Sequence, residues 1–421
     1  MDVTTIAQDV LELIQTREGG MGTDLGEAER RIKAQLEQIG KAALQWHMDQ
    51  HAPLGYQGSR RACPCGQKQR FVEHRPRTVQ TTLGTVTMRR AYYHCRSCGT
   101  GAVPYDQQAG LGSMAVSPGL AKRACALSID LPFAKAAQKL AELTGLRLSA
   151  SSVERLTGHA GEVADRIEQA QAACMATWQA PAEAPAAAGR LYLSVDGVMA
   201  PMRAGWEEIK AAVCYWRDAQ GTLFRRYCAR TEKIDRAWAV AEACGLSGCR
   251  ESVLLGDGAA WIWERVSPVI APDVQIVDWY HACAHLWEAG HAVHGEGTAA
   301  CQAWVESLKD LLWEGQIEAL LDRLHQTLKP LRSPDKRQAL ETLCGYVQGH
   351  RAQMAYDRFR ALGLDIGSGL MESACRTVVQ ERLKRPGTRW HPPNAQRVLS
   401  LRVCHLNGLW DSFWGNRPLA A

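Results

Sequence analysis

The sequence predicts a multidomain α+β protein, and three observations carry that expectation. Two cysteine pairs, Cys63-x-Cys65 and Cys95-x-x-Cys98, bracket two strands of alternating polarity. Helical segments joined by a glycine-containing turn follow them. Beyond an Ala/Pro-rich stretch, strands ending in Asp-Gly alternate with helices and give way to a long helical region. A chain of 421 residues has room for roughly two to four domains with cores of their own.

Composition excludes several classes. With 46% hydrophobic and 22% charged residues the chain is globular, and no apolar run approaches a membrane span. The first segment, "MDVTTIAQDVLELIQTREGG", starts acidic and reads as an amphipathic helix, not a signal peptide. The expected location is therefore cytoplasmic. The net charge of +5 is mild, so the clustering of bases matters more than their sum. Fifteen cysteines in a long chain without a signal read as thiols and metal ligands, not disulfides. Eleven are scattered singly through apolar segments and read as small core residues.

Residues 1–55 read as an N-terminal helical arm, for packing or oligomerisation, from the spacing of "DLGEAERRIKAQLEQIGKAALQWHMDQ". Residues 56–112 carry the cysteine pairs. Each pair neighbours a glycine, and "RTVQTT" and "TVTMRRAYYH" form a hairpin turning at Leu83-Gly84. Cys63, Cys65, Cys95 and Cys98 suit one tetrahedral structural Zn²⁺, which replaces the core so short a segment lacks. This is a zinc ribbon, with His74 and His94 as substitute ligands and four free surface thiols as the plain alternative.

Residues 113–176 read as helices, with one ending at Gly145 and the next capped by Ser149. Helix, glycine turn, helix is the helix-turn-helix pattern, in which Ser151, Ser152 and Arg155 begin the DNA-reading helix. An ordinary helical hairpin is the rival reading. Residues 177–190 form a linker, and 191–280 bring strands and helices. Residues 281–362 read as an all-helical insertion whose Trp287, Trp304 and Trp313 belong to its core, with His291 and His294 at its surface. Residues 363–421 complete the chain with basic helices.

Asp196 and Asp257 end strands and precede glycine, where ligands collect on an open α/β sheet. Glu372 follows a Gly-Ser-Gly turn and opens a segment with Arg376, Arg382, Lys384, Arg385, Arg389, Arg397 and Arg402 against Glu381 alone. Two strand-borne aspartates and a helix-borne glutamate are a hard-oxygen set for two Mg²⁺ or Mn²⁺ ions, and the bases beside them suit a phosphate backbone. Asp278, His281 and His285 share a helix face and read as support for the site or a phosphate contact. Arg376, Arg382, Lys384, Arg385 and Arg389 are expected DNA contacts, and Trp390 between bases is a stacking candidate.

"SVDG", "LLGDGA", "DWYHACAHL", the helical insertion and "GLMESACRTVVQERLKRPGTRW" together resemble bacterial insertion-sequence DDE transposases of the ISKra group, relatives of the Mutator-like transposases. The resemblance covers roughly 60–421. It implies an RNase-H-like α/β catalytic core and an Asp-Asp-Glu triad on Asp196, Asp257 and Glu372. It places the family's Asp/Cys-x-x-His signature on Asp278 and His281. It further implies binding of double-stranded DNA at the element's terminal repeats and at a target, metal-dependent strand cleavage and strand transfer at the nucleoid, and a homodimer or larger synaptic assembly. A silent, domesticated DNA-binding protein and an RNase-H-like nuclease with another duty are the rival functions. The presence of all three acids speaks against the first, and the ribbon, helix-turn-helix and insertion together against the second.

Overall fold

The computed structural model describes residues 25–173, 189–231 and 237–416. The first 24 residues and the body of the Ala/Pro linker lie outside the described residues. The chain divides into two compact units, one within 1–160 together with 411–421, the other within 161–410.

The first unit is built on a four-stranded antiparallel sheet in the order β1-β2-β3-β4. β2 (Lys68–Thr81) and β3 (Gly84–His94) are its long hairpin, flanked by β1 (Arg60–Ala62) and β4 (Gly101–Ala102). β2 starts earlier than the alternation predicts, because it reaches back to the first cysteine pair. A bulge between Phe71 and Glu73 takes up the irregular polarity there. The inward positions Val79, Val86 and Met88 join Leu54 and Leu111 in the unit's core. Arg77 and Arg90 both reach Asp106, which ties the sheet to the helix Pro104–Gln108. The arm is the 26-residue helix Leu25–Gln50. Its Gln45 side chain pairs with Thr87 as a strand would, donating to the carbonyl at 2.7 Å and accepting from the amide at 2.9 Å.

Three helices follow: Pro118–Ser128, Phe133–Thr144 and Ala150–Ala173. Ser117 caps the first through Leu120 N. Gly145 ends the second at φ 72°, and Ser149 Oγ accepts from Ser152 N at 3.1 Å to start the third. Both boundaries fall where the sequence puts them.

The second unit holds a five-stranded mixed sheet in the order β7-β6-β5-β8-β9. β5 (Arg190–Met202), β6 (Gly205–Arg217) and β7 (Leu223–Arg230) form an antiparallel meander. β8 (Glu251–Gly256) pairs in parallel with β5, and β9 (Val274–Val277) with β8. Leu191, Leu193 and Val195 point to one face and pack with Leu254, Ile262 and Val266. Ser194 and Asp196 point to the other. The stretch from Trp279 to Ala361 is helical throughout its regular elements, as the insertion reading expects. Trp304 is buried and donates to Thr327 at 3.2 Å, and Trp313 stacks edge-on with Trp279, so these tryptophans are packing residues. His291 is exposed, but His294 is half-buried against Trp304 at 5.3 Å, which corrects its expected surface position. Among the described residues no helix is long and apolar enough to cross a membrane.

Candidate active site and metal-ligating cysteines

Asp196 lies on β5 at the point where β8 has stopped pairing with it. Asp257 follows the last residue of β8 directly. Parallel pairing of β5 with β8 therefore delivers both acids to the same end of the sheet. Glu372 stands exposed on the first turn of the helix Gly369–Ala374.

The acids have unequal surroundings. Asp196 accepts from Gly197 N at 2.6 Å and from the Cys375 thiol at 3.4 Å. Burial raises its pKa, and the negative charge of Asp257 adds to the rise. Asp257 accepts from Ala259 N at 2.8 Å, and its own carbonyl accepts from the Tyr346 hydroxyl at 3.1 Å. Its Oδ2 faces His281 Nε2 at 4.0 Å. Gly258, at φ 93°, is required here twice: the backbone is left-handed, and an added Cβ would meet Tyr346 at 2.7 Å.

Cys375, which donates to Asp196, lies three residues after Glu372, and the negative charges of Asp196 and Glu372 both raise its pKa. A π-helical turn, Cys375–Gln380, follows Glu372, and another, Ile262–Val266, follows Asp257. Such turns recur beside functional sites, where they aim side chains off the α-helical register. Two carboxylates whose charges oppose each other are hard-oxygen donors that a divalent cation suits.

Asp278 has a defined role. It is 1% exposed, and both its oxygens are engaged. Oδ1 caps the helix Trp279–His294 by accepting from His281 N at 2.6 Å, and Oδ2 accepts from Ser368 N at 2.5 Å. It thus ties the end of β9 to the turn that launches Glu372. His281 is half-exposed beside Asp257. His285 packs on Tyr346 at 4.2 Å, and its ring centroid stands 6.1 Å from that of His281. Sequence reasoning missed Cys375, Tyr346 and Ser368. Of these only Cys375, in "MESAC", carried a signal, its spacing of three from Glu372.

The basic run separates into two sets. Arg376, Lys384 and Arg389 are exposed and Arg385 is half-buried. Arg382 and Trp390 are corrections to the expected DNA contacts. Arg382 is 1% exposed with its guanidinium over the Trp390 ring at 4.8 Å. Trp390 is 7% exposed and donates to the Leu383 carbonyl at 3.2 Å, so neither presents a face to a ligand. Arg402 is buried on the Thr377 carbonyl and Glu381, and Arg397 pairs with Glu162 at 2.9 Å. In the first unit, Ser151 and Arg155 are exposed and Ser152 half-buried at the start of their helix.

The four cysteines of the ribbon come together. Neighbouring sulfurs are 3.4, 3.6 and 3.7 Å apart, and all four lie within 4.8 Å of one another. Sulfurs about 2.3 Å from a tetrahedral zinc stand about 3.8 Å apart, so the cluster can hold one such ion. Two matched knuckles build it: Gly66 N donates to Cys63 O and Gly99 N to Cys95 O, each at 2.9 Å. His74 packs on Phe71 instead, and neither it nor His94 joins the cluster. Among the described residues this is the one cluster of such closeness, and the three acids do not match it.

Residues 19–412 match the model of a family described as Uncharacterised protein family (UPF0236). The chain belongs to that family. No curated protein matches it. The match spans the cysteine cluster, the three helices, the five-stranded sheet, the helical stretch from Trp279 to Ala361 and the basic segment.

Proposed function

We propose that the protein is a DDE transposase that cuts DNA at the ends of an insertion sequence and joins the freed ends to a target. The observation that carries this is the convergence of Asp196 and Asp257 at one end of β5 and β8, with Glu372 three residues before Cys375, the thiol that donates to Asp196. The strand order, an antiparallel meander whose first member pairs in parallel with β8 and β8 in turn with β9, supports reading this unit as an RNase-H-like core. The helical stretch between Asp257 and Glu372 fits the insertion such enzymes carry.

On this reading Asp196, Asp257 and Glu372 would hold two Mg²⁺ or Mn²⁺ ions, which when bound activate water or a 3′-hydroxyl and stabilise the leaving oxygen. The protein's own groups do the rest. Asp278 fixes the turn before Glu372, and Cys375 holds one Asp196 oxygen in place. Arg376, Lys384 and Arg389 supply positive charge for the backbone of the strand being cut. The zinc-ribbon cluster, and the helices around Gly145 acting as a helix-turn-helix, would bind the terminal repeats, and pairing two ends calls for at least two copies of the chain.

The test is a cleavage and strand-transfer assay on DNA carrying the element's ends, with Mg²⁺, Mn²⁺ or EDTA. Wild type should cut in either metal. Asp196→Ala, Asp257→Ala and Glu372→Ala should bind the ends without cutting them. Binding without any cleavage by wild type would make the protein a DNA-binding relic.

A further inference from the structure

The β5–β6 hairpin runs on past the acids. Asp196 pairs with Ala211, and the register continues to Pro201 opposite Trp206 and Met202 opposite Gly205. The Pro201–Trp206 pair therefore stands five residues beyond Asp196, or about 16 Å of strand. Arg203, Ala204, Gly205 and Trp206 are all exposed there, Trp206 by 59%.

Folding normally covers so large a ring, and here the backbone holds it out. Trp390 N donates to Pro201 O at 3.1 Å, and Arg203 N donates to Trp390 O at 2.8 Å. These bonds lash the segment 384–390 to the tip. Lys384 Nζ consequently lies 5.9 Å from the Trp206 ring centroid. The same lysine is near enough to Cys375, the thiol on Asp196, for its charge to act there. Exposed Arg389 lies next to Trp390 in the lashed segment. Of the two acids beside Trp206, Glu208 is paired with Lys210, which leaves half-buried Glu207 against Arg203, Lys384 and Arg389.

An immobilised aromatic face rimmed by cations is how proteins hold unpaired bases: the ring stacks on the base and the cations take the phosphates. A flat ring recognises no particular base, so the expected ligand is a single-stranded stretch and not a sequence. At about 3.4 Å per stacked nucleotide, the tip lies about five nucleotides from the acids.

We propose that Trp206 is a stacking platform for an unpaired nucleotide of the DNA being processed, with Arg203, Lys384 and Arg389 on the neighbouring phosphates. The proposal rests on the strand-cleavage reading and adds to it the form of the substrate, a DNA end opened into single strands beside the cut. Trp206 is then a positioning residue, not a catalytic one.

The test uses the full zinc-loaded chain without added Mg²⁺ or Mn²⁺, where on this reading nothing is cut, with a labelled single-stranded oligonucleotide and the same sequence as duplex. Trp206→Ala should weaken single-strand binding on the order of tenfold and duplex binding by less than about twofold. Trp206→Phe should keep most of the affinity, because a ring remains. A 2-aminopurine placed along the single strand should be quenched by wild type and not by Trp206→Ala. The ring is exposed, so the variant should fold, and circular dichroism verifies this. Equal single-strand affinity and equal quenching in wild type and Trp206→Ala overturn the proposal. If that equality comes with a fall in molecular mass by light scattering, Trp206 is a contact between copies, and the strand-cleavage reading still stands. If wild type binds neither form of DNA, the strand-cleavage reading and this proposal fail together.

Discussion

Cys375 donates its thiol hydrogen to Asp196 Oδ2 across 3.4 Å, on the face of the sheet where the acids gather. Burial pushes the thiol's pKa up, and the charges of Asp196 and Glu372 push it the same way. The sulfur therefore stays protonated and acts as a donor throughout the working pH range.

Cys375→Ala removes that donor and frees one Asp196 oxygen. Cleavage kcat should fall about tenfold, the scale of one hydrogen bond to a charged group, with DNA affinity unchanged. Cys375→Ser keeps a donor and should recover most of the rate. An alanine variant that cuts at the wild-type rate would rule out the positioning role.

Asp196 sets a stability trend with pH. Its folded pKa is raised, chiefly by burial. Such a carboxyl costs stability once ionised; the cost is absent below the unfolded pKa and complete above the folded one. In EDTA at neutral pH, Asp196→Asn should therefore melt about 2 °C above wild type, and the gap should close as pH falls through the acid range. Adding Mg²⁺ should reverse the order, since only wild type keeps the ligand charge. A pH-independent difference would count against burial as the cause.

Asp278 caps one helix and holds the turn before Glu372 with its two oxygens. Asp278→Ala leaves the part-buried amides of His281 and Ser368 without this acceptor and should cost about 1–3 kcal/mol in chemical denaturation. Asp278→Asn keeps one acceptor and should cost roughly half as much. Both should cut poorly while still binding DNA. An Asp278→Ala variant of wild-type stability would contradict the two bonds.

The cysteine cluster should carry one zinc per chain, measurable by elemental analysis. Cys95→Ser removes a buried ligand and should abolish stoichiometric zinc, with proteolysis appearing first within residues 56–112. A variant retaining full zinc would show that another residue completes the site.

Local features were legible in the sequence wherever chemistry repeats at short range. The cysteine knuckles, the Gly145 and Ser149 boundaries and Asp257 at the end of β8 all follow from neighbouring residue types. Asp196 corrects the expected strand end: β5 runs on to Met202, because β6 goes on pairing with it after β8 has stopped. Depth was less legible. Arg382 looks like Arg389 in the sequence, yet one lies under Trp390 and the other in solvent, because strand pairing across residues 201–203 and 390 decides which side closes. The same long-range pairing exposes Trp206 and buries Trp390, the reverse of what flanking charge suggests. The link from Asp278 to Ser368 spans 90 residues, and no periodicity reports a contact of that reach.

The π-helical turn at Cys375–Gln380 has an evolutionary consequence. A π turn is an α-helix carrying one residue too many, and each residue turns a helix by about 100°. Loss of a single codon there would restore a regular helix and swing Glu372 by about that angle against Lys384. Strand pairing in β5, β6 and β8 lies elsewhere in the chain and does not depend on that codon. On the strand-cleavage reading, a single in-frame deletion there would silence the protein while leaving its fold intact.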